Sequence, residues 1–481
     1  MRYKHTYQLA SAACQFIGVT TQAGSLCHRI YSLARFDIAL IVASPSRREG
    51  RSLSDGEGEA QIAVRASKNL VSNSPSPLDN SRLSRRESEA CESAFRNSMQ
   101  ASNNDSQHKI ATSKLARRAC ILLIIAVGLS EPVHSQQAPV GQIDTVLGTG
   151  GKENNSSRGD WNRINIGQTF GVEIGPDKCL YTCEVENHRI WRLNLKTGQA
   201  EVIAGSGEQD YSGDGGPANK AAMNEPYEVR FDAEGNLFVV EMQNHVVRRI
   251  DAKTGVISTV AGTGVAGFSG DDGPATKAQL RRPHSIAIHK EDLFIADIGN
   301  HRIRRVDLKT GTISTIAGNG EKELPKPGPT KGKPMVGPRA LYVTPGTLWI
   351  ALREGHSIWK LQLGDALEQS SLAHIAGNGK KGYSGDGGPG KLATFNGPKG
   401  IVVDEQQRIY VVDTENQVIR GIDTEHDRVT TVAGNGKRGF GGDGGPATKA
   451  AMDRPHGICI DADGILYIGD TNNHRVRAVG P

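Results

Sequence analysis

The chain has 481 residues, of which 37% are hydrophobic and 23% charged, with a formal net charge of +5 at pH 7. Residues 1–135 hold 17 Lys and Arg against 11 Asp and Glu, which leaves 40 against 41 in the rest of the chain. This near-neutral remainder argues against a nucleic-acid partner, because binding to phosphates needs clustered basic side chains. The seven cysteines follow neither a disulfide framework nor a zinc-finger spacing.

The first part of the chain is predicted to be a leader followed by a signal peptide. Residues 1–113 are rich in Ser and Arg without hydrophobic periodicity, which predicts disorder. Residues 114–135 combine a basic flank, a short apolar run and Ser135, which is typical of a secretory signal peptide. The apolar run is too short to span a bilayer, so we expect an exported protein, periplasmic or extracellular, without a stable membrane anchor. A short buried helix or an internal anchor is the alternative.

A signal peptide belongs at the N-terminus of a chain, and this one begins more than one hundred residues in. Met99 lies just upstream of it. The true translation start is therefore expected near Met99.

An internal repeat occupies the rest of the chain. A short β-branched run that closes on glycine recurs six times, at intervals of 56 to 59 residues. These glycines are Gly148, Gly205, Gly262, Gly318, Gly377 and Gly434. Each unit contains four short apolar runs separated by Gly, Asn and Asp turns, which predicts four antiparallel strands, the blade of a β-propeller.

The two ends of the repeat region complement each other. Residues 143–148 form a strand with no blade before it, whereas the last unit, 455–479, stops before its fourth strand. We therefore predict that residues 136–481 form an all-β, six-bladed propeller. In this ring the N-terminal strand 143–148 completes the last blade and removes the open sheet edges.

The sequence Asn-His-Arg, which begins at Asn187, Asn300 and Asn473, resembles the signature of NHL-repeat propellers, including bacterial secreted NHL proteins and the NHL region of teneurins. The resemblance implies the fold but no single function, since such propellers serve as binding platforms, lyases and lactonases. The signature carboxylates and histidines recur once per blade around the ring, which predicts a structural role. They are Glu184, Glu241, Asp297, Asp413 and Asp470, with His188, His245, His301, His356 and His474.

One position at the start of each inner strand is expected to face the central channel. Around the ring it holds Phe170, Tyr227, His284, Arg339, Lys399 and His456. These six residues are the candidate ligand-binding site, because the channel is the concave site that the fold guarantees. Arg339, Lys399 and the two histidines, with Tyr227 as a hydrogen-bond partner, predict a site for an anion. A hydrated channel without a ligand is the alternative.

A second hypothesis is a metal-dependent lyase or lactonase. Pro283-His284 and Pro455-His456 are similar to the Pro-His dipeptides that bind the catalytic zinc of peptidyl-hydroxyglycine amidating lyases. The resemblance implies zinc at His284 and His456, with Tyr227 and Arg339 as further catalytic residues. A catalytic zinc has three protein ligands, and this position of the ring supplies two histidines.

The linkers between blades form another constellation. Four of them contain an aromatic residue followed by a Gly-rich phrase with one aspartate, which closes a turn or binds calcium. These aspartates are Asp214, Asp271, Asp386 and Asp443. The linkers of blades one and four, 153–161 and 321–334, depart from this phrase, which is typical either of a solvated loop or of a partner contact.

Taken together, these patterns favour an exported, monomeric propeller that binds a protein or a small anionic ligand through its loop face and channel mouth. No cofactor is required by this interpretation, and zinc or calcium enters only through the alternatives above. The metal-dependent lyase or lactonase is the alternative function.

Overall fold

The computed structural model describes residues 141–364 and 370–480. They form six antiparallel sheets arranged as the blades of a ring, which confirms the predicted all-β, six-bladed propeller. The predicted leader and signal peptide lie outside these residues. Within residues 141–364 and 370–480, no helix is both long and apolar enough to cross a membrane.

Each blade has four main strands, and four of the six carry a fifth, short outer strand. Blade one contains β2 (Arg158–Asp160), β3 (Thr169–Ile174), β4 (Leu180–Glu184), β5 (Arg189–Asn194) and β6 (Gln199–Ala204). Blade two contains β7 (Pro226–Phe231), β8 (Leu237–Glu241), β9 (Val246–Ile250) and β10 (Ile257–Ala261). Blade three contains β11 (Gly273–Pro274), β12 (Ile286–His289), β13 (Asp292–Asp297), β14 (Arg302–Asp307) and β15 (Thr312–Ala317).

The other three blades are built in the same way. Blade four contains β16 (Gly328–Pro329), β17 (Pro338–Thr344), β18 (Thr347–Leu352), β19 (Ser357–Gln362) and β20 (Ser371–Ala376). Blade five contains β21 (Gly400–Val403), β22 (Ile409–Asp413), β23 (Val418–Asp423) and β24 (Arg428–Ala433). Blade six contains β25 (Gly445–Pro446), β26 (Ile458–Ile460), β27 (Leu466–Asp470) and β28 (Arg475–Val479), together with β1 (Gln142–Leu147). One-turn 3₁₀ helices lie between strands at Ala218–Lys220, Ala275–Lys277, Ile298–Asn300, Gly390–Leu392, Thr414–Asn416, Ala447–Lys449 and Thr471–Asn473.

The ring closes as the sequence predicts. Strand β1 lies between β25 and β28 in the last blade, and Ile143 pairs with both Val479 and Gly445. Ile143 is fully buried in the core of this blade. The first strand of the propeller therefore supplies the outer strand that the last repeat lacks.

The hydrophobic core lies between neighbouring blades, because each sheet has apolar side chains on both faces. Between blades three and four, for example, Phe294 and Ala296 pack in one cluster with Leu341, Ile350 and Trp359. Six such clusters of buried side chains follow one another around the described part of the chain. Each blade is therefore stabilised by its two neighbours.

A buried ion pair at the end of the second strand fastens the linkers to the blades. In blade two, Glu241 and Arg248 are both fully buried and 3.0 Å apart, and Arg248 also pairs with Asp214 of the Gly-rich linker at 2.7 Å. The same arrangement recurs at Arg304 with Asp271 and Asp297, Arg420 with Asp386 and Asp413, and Arg477 with Asp443 and Asp470. Calcium at these linker aspartates stays a prediction, and the ion would have to displace an arginine from each carboxylate.

Glycines narrow the channel. A Cβ at Gly457 would lie 2.0 Å from the carbonyl oxygen of Phe170, and one at Gly400 would lie 2.4 Å from that of His456. Inner strands of neighbouring blades therefore approach each other more closely than any side chain would allow. The close approach explains why the candidate site is compact.

Candidate functional site

The six residues predicted to face the channel do come together at the start of the inner strands. The rings of Phe170 and His456 stack with centroids 4.0 Å apart. Phe170 also contacts Tyr227 at 4.5 Å, and Tyr227 meets the edge of His284 at 4.7 Å. These aromatic contacts fill the channel, so the six residues form a closed layer across the axis.

Two cations complete this layer. Arg339 is 3% exposed, and its Cζ lies 5.2 Å from the centroid of the Tyr227 ring. The Nζ of Lys399 donates to Glu415 Oε1 at 2.9 Å and approaches the Nε2 of His456 at 3.3 Å. Lys399 thus has a carboxylate partner, whereas within the described residues Arg339 has none within 4.0 Å.

Burial controls the ionisation of the layer. Burial, followed by the nearby cation Arg339, holds the pKa of His284 well below its usual value. Burial and the positive charges of Lys399 and Arg339 do the same for the pKa of His456. Burial lowers the pKa of Lys399 to about 8, against the opposing effect of Glu415. At neutral pH the two histidines are therefore neutral, and most Lys399 side chains are charged.

The residues present do not fit a catalytic zinc. The Nδ1 atoms of His284 and His456 donate to the carbonyl oxygens of Arg282 and Arg454, at 2.7 and 2.8 Å, which leaves each Nε2 as the metal-binding atom. The Nε2 of His456 already faces the Lys399 ammonium group. Across residues 141–364 and 370–480, no three His, Cys, Asp or Glu side chains are grouped so that they could hold a metal.

An open basic pocket lies beside this layer, on the loop-bearing face of blades three and four. Its volume is about 490 Å³, and His284 forms part of its wall. We call it the mouth pocket. Its charged lining residues are Arg281, Arg282, Arg302, Lys322, Arg353 and Glu354.

The guanidinium groups of Arg302 and Arg282 are held without a carboxylate. Arg302 donates to the carbonyl oxygens of Asn300 and Asn319 at 2.8 and 2.7 Å. The Nε of Arg282 contacts the sulfur of Met242 at 3.3 Å. Both side chains are therefore positioned by neutral groups.

The other three cations differ in their partners. Arg353 forms an ion pair with Glu354. Arg281 and Lys322 form no ion pair with any described residue, and both are exposed. Four of the five cations around the mouth pocket thus have no carboxylate partner in the described part of the chain, which makes the pocket strongly attractive to anions.

The sequence did not predict the mouth pocket. Its clearest sequence signals are the Arg281-Arg282 pair before the inner strand and Lys322 in the unusual linker of blade four. A sum of charges over the propeller conceals it, because acidic residues elsewhere compensate for these cations.

Comparison with known proteins supports the repeat assignment. The NHL repeat family model matches residues 395–421 and 452–478, which fall in blades five and six. The chain is 29% identical over 286 residues to Protein SUPPRESSOR OF QUENCHING 1, chloroplastic, of Arabidopsis thaliana, covering 58% of this chain and 27% of that protein. It is 27% identical over 330 residues to NHL repeat-containing protein 2 of Gallus gallus, covering 62% of this chain and 44% of that protein. It is 26% identical over 322 residues to Teneurin-1 of Mus musculus, covering 62% of this chain and 10% of that protein.

The chain thus spans less than half the length of these relatives. Among solved structures, an auxiliary nutrient binding protein from Bacteroides thetaiotaomicron superposes with a TM-score of 0.53 at 18% identity, covering 70% of this chain and 76% of that one. At that identity the similarity shows the fold alone. The resemblance to NHL-repeat propellers, the teneurin type included, is confirmed by these matches.

Proposed function

We propose that this NHL-repeat, six-bladed β-propeller is a binding platform that takes a small anionic ligand in the mouth pocket. The observation that carries the proposal is the set of four cations around this pocket without a carboxylate partner. A pocket of about 490 Å³ has the size of a site for a small organic molecule. In this proposal, the binding function that the sequence predicts for the loop face and the channel mouth takes place in the mouth pocket.

The chemistry of the lining selects the class of ligand. A guanidinium group donates two parallel hydrogen bonds to a carboxylate or a phosphate, so three unpaired arginines and one lysine favour a ligand with more than one acidic group. The fixed backbone acceptors of Arg302 reduce the cost of ordering this side chain on binding. Polycarboxylates and phosphorylated small molecules meet these requirements.

Export and a monomeric state belong to the proposal as well. The basic and apolar pattern of residues 114–135 supports secretion, so the ligand would be met in the periplasm or outside the cell. The auxiliary nutrient binding protein from Bacteroides thetaiotaomicron has a similar fold, and its name is in keeping with the ligand-binding role that we propose for this chain. The alternative, a metal-dependent lyase or lactonase at His284 and His456, lacks a third metal ligand in the described residues.

Isothermal titration of the full chain with citrate and with inorganic pyrophosphate tests this proposal. We expect one site per chain, with affinity that falls as the salt concentration rises from 50 to about 200 mM. Arg281→Gln and Lys322→Gln should each weaken binding about tenfold, because each removes a charge-assisted hydrogen bond. Arg428→Gln, which changes an exposed arginine at the start of β24, is the matched control and should bind as the unchanged protein does.

Two results would contradict the proposal. One is the absence of binding heat with both probes. The other is equal affinity for Arg281→Gln, Lys322→Gln and the Arg428→Gln control, which would show that any binding occurs outside the mouth pocket.

A further inference from the structure

Arg339 is a buried cation with too few partners. It is 3% exposed, and its single hydrogen bond within the described residues runs from Nη1 to the carbonyl oxygen of Lys399, at 3.4 Å. A guanidinium group has five N–H donors, and a buried charge without a counter-charge is costly. The guanidinium group therefore has donors left for a further acceptor.

A small cavity adjoins this guanidinium group. Its volume is about 10 Å³, which is room for one particle the size of a water molecule. The inner strands of five blades contribute to its wall, so the cavity lies on the propeller axis. It is separate from the larger mouth pocket, and the two share no lining residue.

The charges that line this cavity are mainly positive. Arg339, Lys399 and Arg230 contribute three cations, and Glu228 is the one carboxylate among the described lining residues. Glu228 is already engaged, since it forms an ion pair with Arg230 and accepts a hydrogen bond from Ser285 Oγ at 3.0 Å. It forms no ion pair with Arg339 within 4.0 Å, although its charge acts on Arg339 from a greater distance.

A second carboxylate, Glu173, makes the charge near the cavity depend on pH. It lies 3.1 Å from Arg230, which also forms the ion pair with Glu228. Burial raises the pKa of Glu173 to about 7 and raises that of Glu228, although Arg230 opposes both shifts. As the pH falls through about 7, part of the negative charge around Arg230 is consequently lost to protonation. The net positive charge near the cavity is then larger than at higher pH.

We infer that the axial cavity is a binding site for a single monatomic anion of the halide class, held by Arg339. The cavity is too small for an organic anion, and three of its four charged lining residues are cations, of which Arg339 has no ion pair with a described residue. The rings of Phe170 and Tyr227 also line it, and the edges of aromatic rings carry positive potential. The sequence predicts an anion site at the channel residues. A single enclosed ion that links the inner strands is a more specific form of that site.

The first test measures thermal unfolding of the full chain in sodium chloride, sodium bromide and sodium gluconate at one ionic strength. Gluconate is too large for the cavity. We expect both halides to raise Tm by about 1–3 °C relative to gluconate, through preferential binding to the folded state. The increase should be larger at pH 6 than at pH 8, because at the lower pH Glu173 is mostly protonated and Lys399, whose pKa burial lowers to about 8, is almost entirely charged.

Arg339→Met removes the cation and keeps a similar length of side chain. It should abolish the difference between halide and gluconate, whereas Arg353→Met, in the mouth pocket, should retain it. Equal Tm in chloride and gluconate, or a halide effect that survives Arg339→Met, would overturn the inference. Absence of binding heat with both citrate and pyrophosphate, together with an unchanged halide effect, would overturn the proposed function alone, so the two ideas fail separately.

A second measurement serves if Arg339→Met does not fold. Crystals of the unchanged protein grown in sodium bromide should show an anomalous peak beside the Arg339 guanidinium group. A cavity that holds only a water molecule bridging Arg339 and Glu228, without an anomalous peak, would refute the inference.

Discussion

The Nδ1 of His188 accepts a hydrogen bond from the backbone N–H of Glu225, 3.2 Å away at the start of the inner strand of the next blade. The same bond joins three further pairs of blades: His245 to Arg282, His301 to Gly337, and His356 to Gly397, at 3.1 to 3.2 Å. Each histidine has a left-handed backbone, with φ between 45° and 56°. The signature histidine therefore fastens one blade to the next, which is the structural role that the sequence predicted.

Two blades show variations on this bond. In blade five, Gln417 replaces the histidine, and its Oε1 accepts the N–H of Arg454 at 2.6 Å. In blade six, the Nδ1 of His474 has no hydrogen-bond partner among residues 141–364 and 370–480. Blades six and one are joined instead by Thr471, whose hydroxyl donates to the carbonyl oxygen of Thr169 at 2.6 Å.

The histidine bond predicts a pH-dependent contribution to stability. Burial, followed by the positive charge of Arg282, lowers the pKa of His245 below its ordinary value of 6.5. The bond to the backbone N–H of Arg282 needs an unprotonated Nδ1. A depressed pKa in the folded state means that the contribution is complete above pH 6.5 and is lost as the pH falls through the folded pKa. His245→Gln supplies the neutral acceptor found in blade five, and its contribution should not change with pH.

Denaturant titrations at pH 8 and pH 5 measure this effect. We expect the free energy of unfolding of His245→Gln to lie within about 1 kcal/mol of the unchanged protein at pH 8. At pH 5 the variant should be relatively more stable than at pH 8. His289→Gln, a change at a histidine without this bond, is the control. A difference between His245→Gln and the unchanged protein that is the same at both pH values would contradict the prediction.

Neighbouring arginines on β14 provide a second prediction. Arg304 is fully buried between Asp271 at 2.7 Å and Asp297 at 3.5 Å, and burial raises the pKa of Asp297 to about 6. Arg304→Met leaves Asp297 buried without its cation, which should cost about 3–5 kcal/mol of unfolding free energy. Arg305 pairs with Asp292 at a more exposed position, so Arg305→Met should cost less than about 1 kcal/mol. Urea titrations at pH 7.5 compare the two, and equal losses would contradict this view of the buried pair.

The fold was predictable from the sequence because its signals are local. Short β-branched runs, turn glycines and the His-containing turn recur at one spacing, and each repeat specifies its own four strands. The six channel residues could be located for the same reason, since each lies at the start of an inner strand or within two residues before it. Their common position in the repeat places Tyr227 beside His284, and Phe170 beside His456.

The closed channel and the mouth pocket could not be predicted in this way. The channel is closed because Gly457 and Gly400 let neighbouring strands touch, which depends on packing between repeats. The mouth pocket is assembled from Arg281, Lys322 and Arg353, which belong to three separate segments at different positions of the repeat. The net charge of the propeller cannot reveal the pocket, because acidic residues elsewhere in the structure compensate for its cations.

The close approach of the inner strands gives the last prediction. A Cβ at Gly457 would lie 2.0 Å from the carbonyl oxygen of Phe170, so Gly457→Ala must push the inner strands of blades six and one apart. This movement would disturb the stack of Phe170 on His456, and we expect a loss of about 1–3 kcal/mol in unfolding free energy. Gly388→Ala is the control, since its nearest contact would be an ordinary 3.5 Å, and it should be neutral or slightly stabilising. Calorimetry on both variants decides the point: if Gly457→Ala unfolds at the same temperature as Gly388→Ala, the inner strands have room to move and the closed channel is not set by these glycines.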